Sequence, residues 1–271
     1  RASGKEESIV QAPSSRGIER IEAHLLGNGF EPHRHDTYAL GLTLSGVQTF
    51  RYRGASRFSL PGNIIVLHPD GVHDGAAGTD CGLRYRMLYL PPERLIEAAE
   101  KFRSLPFVAN PIVSDEPFRV SLAEALGEFE TELEDLQIDD LIGRFFDGLE
   151  RHAGHSAGPS DTIAVGAVLL CRDFLQDNCD RVVSSAELEA ISGFDRYTMA
   201  RQFRHLLGTS PHRYLLMRRL DKAKAWLSNG LTLVEVAANA GFADQAHFTR
   251  HFKKAFGMTP GRWKKLTSAV S

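Results

Sequence analysis

A stretch of fourteen residues occurs twice in the C-terminal third of this chain, 49 residues apart. Arg201, Phe203, Gly208, Pro211 and Arg213 return as Arg250, Phe252, Gly257, Pro260 and Arg262. Arg204, Leu207, Ser210 and Tyr214 return as the similar Lys253, Phe256, Thr259 and Trp263. Two copies are too few for a solenoid and suit a paired device. The content of each copy indicates which kind.

Each copy reads as helix, glycine turn, helix. Thr232-Leu233-Val234-Glu235 and Ser184-Ser185-Ala186-Glu187 are capping boxes, in which a hydroxyl and a carboxylate satisfy free N–H groups at a helix start. Gly193 and Gly241 supply the turns, and Asp195 and Asp244 can cap the second helices. Those helices bury Met199, Phe203 and Leu206 in one copy and Phe248, Phe252 and Phe256 in the other. The pattern is the helix-turn-helix signature. Opposite the stripe lie Arg196, Tyr197, Arg201, Arg204 and His205, and then Gln245, His247, Arg250, Lys253 and Lys254. Any exposed helix face is polar. Two cationic faces at matching positions of a repeat, however, point to phosphates and base edges of double-stranded DNA.

Charge is divided unevenly. Residues 195–271 hold fourteen Lys/Arg against four Asp/Glu, whereas residues 1–159 hold sixteen against twenty-four, so the formal net charge of −2 hides a basic end. Between the copies, Leu216, Leu220, Ala223 and Leu227 form a helical stripe ended by Asn229-Gly230. Such a helix spans about 25 Å. It could hold two reading helices about one DNA turn apart on one face of the duplex.

Residues from about 163 to 265 resemble the DNA-binding domain of AraC/XylS-type bacterial transcription regulators, most closely from Gly230 through Gly241-Phe242 to Gly257-Met258-Thr259-Pro260. The resemblance implies two helix-turn-helix subdomains joined by a linker helix. It implies base contacts from Tyr197, Thr198 and Arg201 and from Gln245, Ala246, His247 and Arg250; Ala200 and Ala246 would add a methyl contact or none. It also implies a homodimer, RNA polymerase as a partner and transcriptional activation or repression.

Residues 1–17 are polar and turn-rich and are expected to form a flexible tail; the first residue is not Met, which suggests a trimmed start. From Ile18 to about Leu90, short β-rich runs (Ala39–Leu44, Gln48–Tyr52, Ile64–Leu67, Leu83–Leu90) alternate with Gly/Pro turns, as in a sandwich or barrel. Pro32-His33-Arg34-His35, Gly46, Pro61-Gly62 and His68-Pro69-Asp70-Gly71-Val72-His73 resemble the cupin-like effector domain of many AraC-type regulators. Residues 91–152 turn helical, with stripes Leu95/Ile96/Ala99/Phe102, Leu122/Ala125/Leu126/Phe129/Leu133 and Leu141/Ile142/Phe145/Phe146/Leu149; the resemblance implies that helices here dimerise the chain, and the alternative is that they cap the barrel. Residues 153–162 read as a linker, followed by a helix from Ile163 to Phe174 packed under the first reader. The expected fold is thus an all-β cupin-like barrel with appended helices (18–152) and an all-α double helix-turn-helix domain (163–271).

His33, His35 and His73 have the spacing with which cupin enzymes hold Fe, Mn or Zn, but Ala39 and Leu40 stand where that pattern wants Glu. The leading expectation is no cofactor, with these histidines lining an effector pocket. A bound metal is the minor alternative. Arg51, Arg53, Arg84 and Arg86 alternate along strands; Arg84 and Arg86, if inward, would favour a carboxylate or amino-acid effector, while the usual case is that they face solvent. Cys81, Cys171 and Cys179 suit a reducing cytoplasm, and no apolar run is long enough to cross a bilayer. No nucleotide-binding or nucleophile-elbow motif commits the chain to catalysis. The reading is an effector-controlled, DNA-binding transcription regulator. The alternative is a cupin-type metalloenzyme with an accessory DNA-binding domain.

Overall fold

The computed structural model describes residues 7–27, 29–99, 104–154 and 164–268. The N-terminal half is two antiparallel sheets. In chain order the strands are β1 (Ser8–Gln11), β2 (Glu19–Leu25), β3 (Phe30–His33), β4 (Tyr38–Ser45), β5 (Gln48–Tyr52), β6 (Ala55–Ser59), β7 (Ile64–Leu67), β8 (His73–Ala77), β9 (Leu83–Leu90) and the short β10 (Ile112–Val113). One sheet runs β1-β2-β9-β4-β7-β10 and the other β3-β8-β5-β6.

Alternation along the central strands produces two cores. Ala39, Ile65, Leu67, Tyr85 and Met87 point into the barrel, whereas Tyr38, Leu40, Ile64, Val66, Leu88 and Leu90 point the other way. Three helices cover that second face: α1 (Pro92–Ala98), α2 (Glu116–Ala125) and α3 (Asp135–His152), which contribute Leu95, Phe118, Leu122, Ile142 and Phe145. A sheet buried on both faces explains why β4 and β7 read as continuous apolar runs.

Two expectations are corrected. Ser8–Gln11 is not tail but an edge strand paired with β2, with Ile9 1% exposed; residues 1–6 lie outside the described residues. Phe129 and Leu133 do not extend α2, which stops at Ala125 before Gly127. The loop beyond it wraps the guanidinium of Arg20, buried at 1% exposure, which donates to the carbonyls of Ala125 (3.1 Å), Glu128 (2.7 Å) and Thr131 (2.6 Å). A buried guanidinium needs such acceptors, and the free carbonyls at the end of α2 and along the irregular loop beyond it supply them. Most of the expected linker also lies outside the described residues, since only Ala153 and Gly154 of it are described.

His68, ahead of β8, pins the barrel to the loop that leads into β10. Its Nε2 accepts from the N–H of Val108 (2.9 Å), so the proton sits on Nδ1, beside the Tyr52 hydroxyl (2.8 Å). Burial pushes its pKa from 6.5 down to about 4, with Arg53 adding to the shift. A depressed histidine lets the unfolded chain take the extra proton first, so the stability it confers is full above pH 6.5 and lost as pH falls toward 4. Urea unfolding at pH 7 and pH 5 should show a loss of about 2 kcal/mol from this residue. That component should vanish in His68→Gln; an unchanged pH slope in the variant would contradict the assignment.

The C-terminal half is α4 (Val165–Asp177), α5 (Ser185–Ser192), α6 (Arg196–Leu207), α7 (Pro211–Ser228), α8 (Leu233–Asn239), α9 (Gln245–Phe256) and α10 (Pro260–Ser268). Both capping boxes form, at Ser184/Glu187 and Thr232/Glu235, and Asp195 and Asp244 accept from the first-turn N–H groups of α6 and α9. α4, α5 and α6 share one core with Tyr214 and Leu215 of α7. The lower half of α7 packs instead with α8, α9 and α10, in a core continuous with the barrel interior. α7 therefore belongs to both readers and to the seam between domains.

Candidate nucleic-acid interface and effector site

The repeat places α6 and α9 as equivalent second helices. Each ends on a left-handed glycine, Gly208 (φ 71°) and Gly257 (φ 69°). Both glycines dock on the N-terminal domain. A Cβ on Gly208 would lie 2.7 Å from Cβ of Pro69, and one on Gly257 would lie 2.6 Å from Nδ1 of His33. The same position of the repeat therefore meets the effector domain twice, for want of a side chain.

On α6, Arg196, Tyr197, Arg201 and Arg204 are exposed, and Tyr197 is 74% exposed. Arg196 pairs with Glu189 of α5 (3.0 Å), and Arg201 donates to the Thr198 hydroxyl (3.0 Å). On α9, Gln245, Ala246 and Arg250 are exposed. His247 is not the free polar group expected: its Nε2 lies 2.9 Å from Nε2 of His251, and its ring packs edge-on against Phe242. His251, missed in the sequence, joins His247, Arg250 and Lys254 around a surface hollow of about 300 Å³.

Lys253 is engaged with the other domain, 2.7 Å from Glu31. It belongs to a larger pattern. Arg213 meets Asp70 (2.7 Å), Arg218 meets Asp36 (2.9 Å), Lys224 meets Glu19 (2.6 Å) and Arg262 meets Glu7 (3.3 Å). Five cations of the basic half thus face acids of the acidic half. The charge asymmetry read as a DNA signal is in part the electrostatics of docking. Main-chain bonds reinforce it: Glu31 N–H donates to Gly257 O (2.7 Å) and Arg34 N–H to Lys254 O (3.2 Å).

Inside this seam is a cavity with about 60 Å³ of free space, lined by His33 and His35 from the barrel and by Met217, Arg218, Lys224, Phe256 and Trp263. Lys224 is 8% exposed, with its ammonium 4.7 Å from the Phe256 ring centroid and 5.5 Å from that of Trp263. Sequence reading missed it, although it stands four residues after Leu220 on the buried face of α7. His73 faces the adjoining barrel interior. Burial holds His33 and His35 well below the ordinary 6.5, helped by their neighbouring imidazoles, and lowers His73 as well.

Arg84 and Arg86 line neither space. Tyr85 and Met87 fill the barrel, so strand alternation turns Arg84 and Arg86 to the outer face, where both hold Glu22 at 2.6 Å. Arg86 also stacks on Phe129, 4.7 Å from the ring centroid. Their expected effector role is therefore replaced by a structural one.

A β-barrel with an internal cavity, docked on two helix-turn-helix units, defines a ligand-responsive DNA-binding regulator. An AraC-like ligand binding domain matches residues 16–169 and a helix-turn-helix domain matches residues 188–266, and the chain belongs to the AraC-type transcription regulators. It is 24% identical over 227 residues to the HTH-type transcriptional regulator YbfI of Bacillus subtilis (strain 168), covering 80% of this chain and 81% of that one. It is 25% identical over 165 residues to the virulence regulon transcriptional activator VirF of Yersinia enterocolitica, covering 58% and 57%. The fold is shared with ToxT from Vibrio cholerae, at a TM-score of 0.65 and 12% identity over 96% of this chain and 99% of that one.

Proposed function

We propose that this regulator reads DNA through the exposed faces of α6 and α9 and is controlled by a carboxylate effector that enters the seam between barrel and α7. The observation that carries the effector class is Lys224: a buried ammonium between two aromatic rings, paired across the seam with Glu19. An incoming carboxylate can replace Glu19 on Lys224 while its apolar part lies against Met217, Phe256 and Trp263. That exchange removes one of the ties between the domains. With about 60 Å³ free, a ligand larger than a few waters must also part the walls. The effector then favours one domain arrangement over another, as control of DNA binding requires. ToxT, whose fold is similar, has been solved with an unsaturated fatty acid and with (E)-4-(8-methylnaphthalen-1-yl)but-3-enoic acid, both carboxylic acids with bulky apolar parts.

Base contacts are assigned to Tyr197, Thr198 and Arg201 on α6 and to Gln245, Ala246 and Arg250 on α9, with Arg196 and Arg204 toward phosphates; Lys253, tied to Glu31 in this arrangement, reaches a phosphate only where that pair opens. His247 is assigned to positioning α9 rather than to a base. We read the chain as a regulator and not an enzyme because its relatives are regulators. A homodimer, contact with RNA polymerase and a cytoplasmic setting belong to this reading through the family. No helix among the described residues is long and apolar enough to cross a membrane.

Thermal shift and gel shift on the full chain, with a long-chain monounsaturated fatty acid and the matching alcohol, test the effector class. The acid should raise the melting temperature and change DNA affinity at least fivefold, the alcohol should do neither, and Lys224→Met should abolish the response. An equal response to the alcohol, or an undiminished one in Lys224→Met, would refute the assignment.

A further inference from the structure

We propose that His33, His35 and His73 form a three-imidazole site for one divalent late first-row transition ion, of which zinc is the reference, set in the wall that carries the end of α9. One ligand atom from each residue lies within 4.8 Å of the others, and all three side chains are buried. Tetrahedral Zn–N bonds of 2.0–2.1 Å put nitrogens about 3.4 Å apart, so closure by about 1.5 Å through small side-chain rotations completes the set.

Local structure already sets the imidazoles for this. His33 in β3 and His73 opening β8 are direct cross-strand partners, and His35 follows two residues after His33, just beyond the end of β3. Each Nδ1 lies against a backbone carbonyl: His33 on Glu31 O (2.8 Å), His35 on Thr37 O (2.9 Å) and His73 on Gly71 O (2.8 Å). A carbonyl accepts only from N–H, so Nδ1 bears the proton and the lone pair of each neutral ring is on Nε2. This is the outer-shell arrangement that orients metal-binding histidines.

A histidine buried for packing alone is as a rule hydrogen-bonded at both nitrogens. His35 breaks that account: it is 6% exposed, and its Nε2 is buried without a hydrogen-bond partner. Three neutral nitrogens with no carboxylate or thiolate in the cluster suit Zn, Co, Ni or Cu and discriminate against Mg and Ca. Ala39 and Leu40 supply no oxygen, so the fourth position is left to water or an anion. The backbone of the same strand holds Gly257 of the α9 terminus, so an ion fixed at His33 stiffens the surface on which the second reader is docked. The metal site adjoins the effector cavity through His33 and His35, but its assignment does not rest on the carboxylate, and either can fail alone.

The test uses the full chain, stripped with chelator and titrated with Co²⁺ followed by visible absorption, with Zn²⁺ as competitor. One ion per chain is expected, with a rise in melting temperature on binding. His35→Ala and His73→Ala should each weaken binding at least tenfold, while His247→Ala/His251→Ala, which removes the histidine pair on α9, should leave it unchanged. Binding no tighter in the parent than in His35→Ala, or lost only in the α9 variant, overturns the site. X-ray absorption on the unaltered zinc-loaded protein decides the matter without relying on a variant's folding: three imidazoles with water or an anion uphold the site, and fewer than three imidazoles overturn it.

Discussion

Arg201→Ala and Arg250→Ala should each weaken specific DNA binding by about 1–3 kcal/mol, five- to 150-fold, without loss of folded structure. Both side chains are exposed on helices whose opposite faces supply Phe203 and Phe252, each 0% exposed, so the change touches recognition and not packing. Arg201 is held along α6 by the Thr198 hydroxyl, in the first turns of the helix. Arg250 stands one turn into α9 beside His251 and Lys254. A guanidinium that reads a base should alter sequence preference at one operator position, whereas one that meets a phosphate lowers affinity for all sequences alike. Gel shifts against a specific operator and a scrambled duplex separate the two, and unchanged affinity in both variants would refute the interface.

Asp36→Ala should lower the stability of the free protein by about 3 kcal/mol, near the lower end of the cost of leaving a buried charge without its partner. Asp36 is 4% exposed and meets Arg218 of α7 at 2.9 Å. Arg218 keeps Asp221 at 3.2 Å and the Tyr214 ring beneath it, which moderates the loss. Asp36→Asn should behave much the same, since shape is retained and charge is not. Urea unfolding measures both. A loss below 1 kcal/mol in each would mean that Asp221 alone satisfies Arg218 and that this pair does not hold the seam.

Local chemistry was legible in the sequence wherever a few adjacent residues decide it. Ser184/Glu187, Thr232/Glu235, Asp195 and Asp244 cap the helices they were expected to cap, because a cap is settled within four residues. β1 was hidden because an edge strand is defined by its partner's backbone; Ile9 and Val10 alone cannot declare it in a polar stretch. Phe129 fits helical spacing yet leaves the helix, because Arg20, more than a hundred residues earlier, needs the carbonyls of that loop. Arg84 and Arg86 point away from the barrel interior, as alternating strand arginines usually do, and Arg86 is half covered there by Phe129. The seam escaped sequence reading because Glu19 and Lys224, like Glu31 and Lys253, lie some two hundred residues apart. Only the folded chain reveals that part of the basic charge is spent on the protein's own acids.

Hydroxyl-radical footprinting of the full chain on its operator tests the double reader most directly. The account predicts two protected patches on one face of the duplex, about one helical turn apart, with Arg201→Ala thinning one and Arg250→Ala the other. Protection of a single groove, or patches on opposite faces of the DNA, would contradict it.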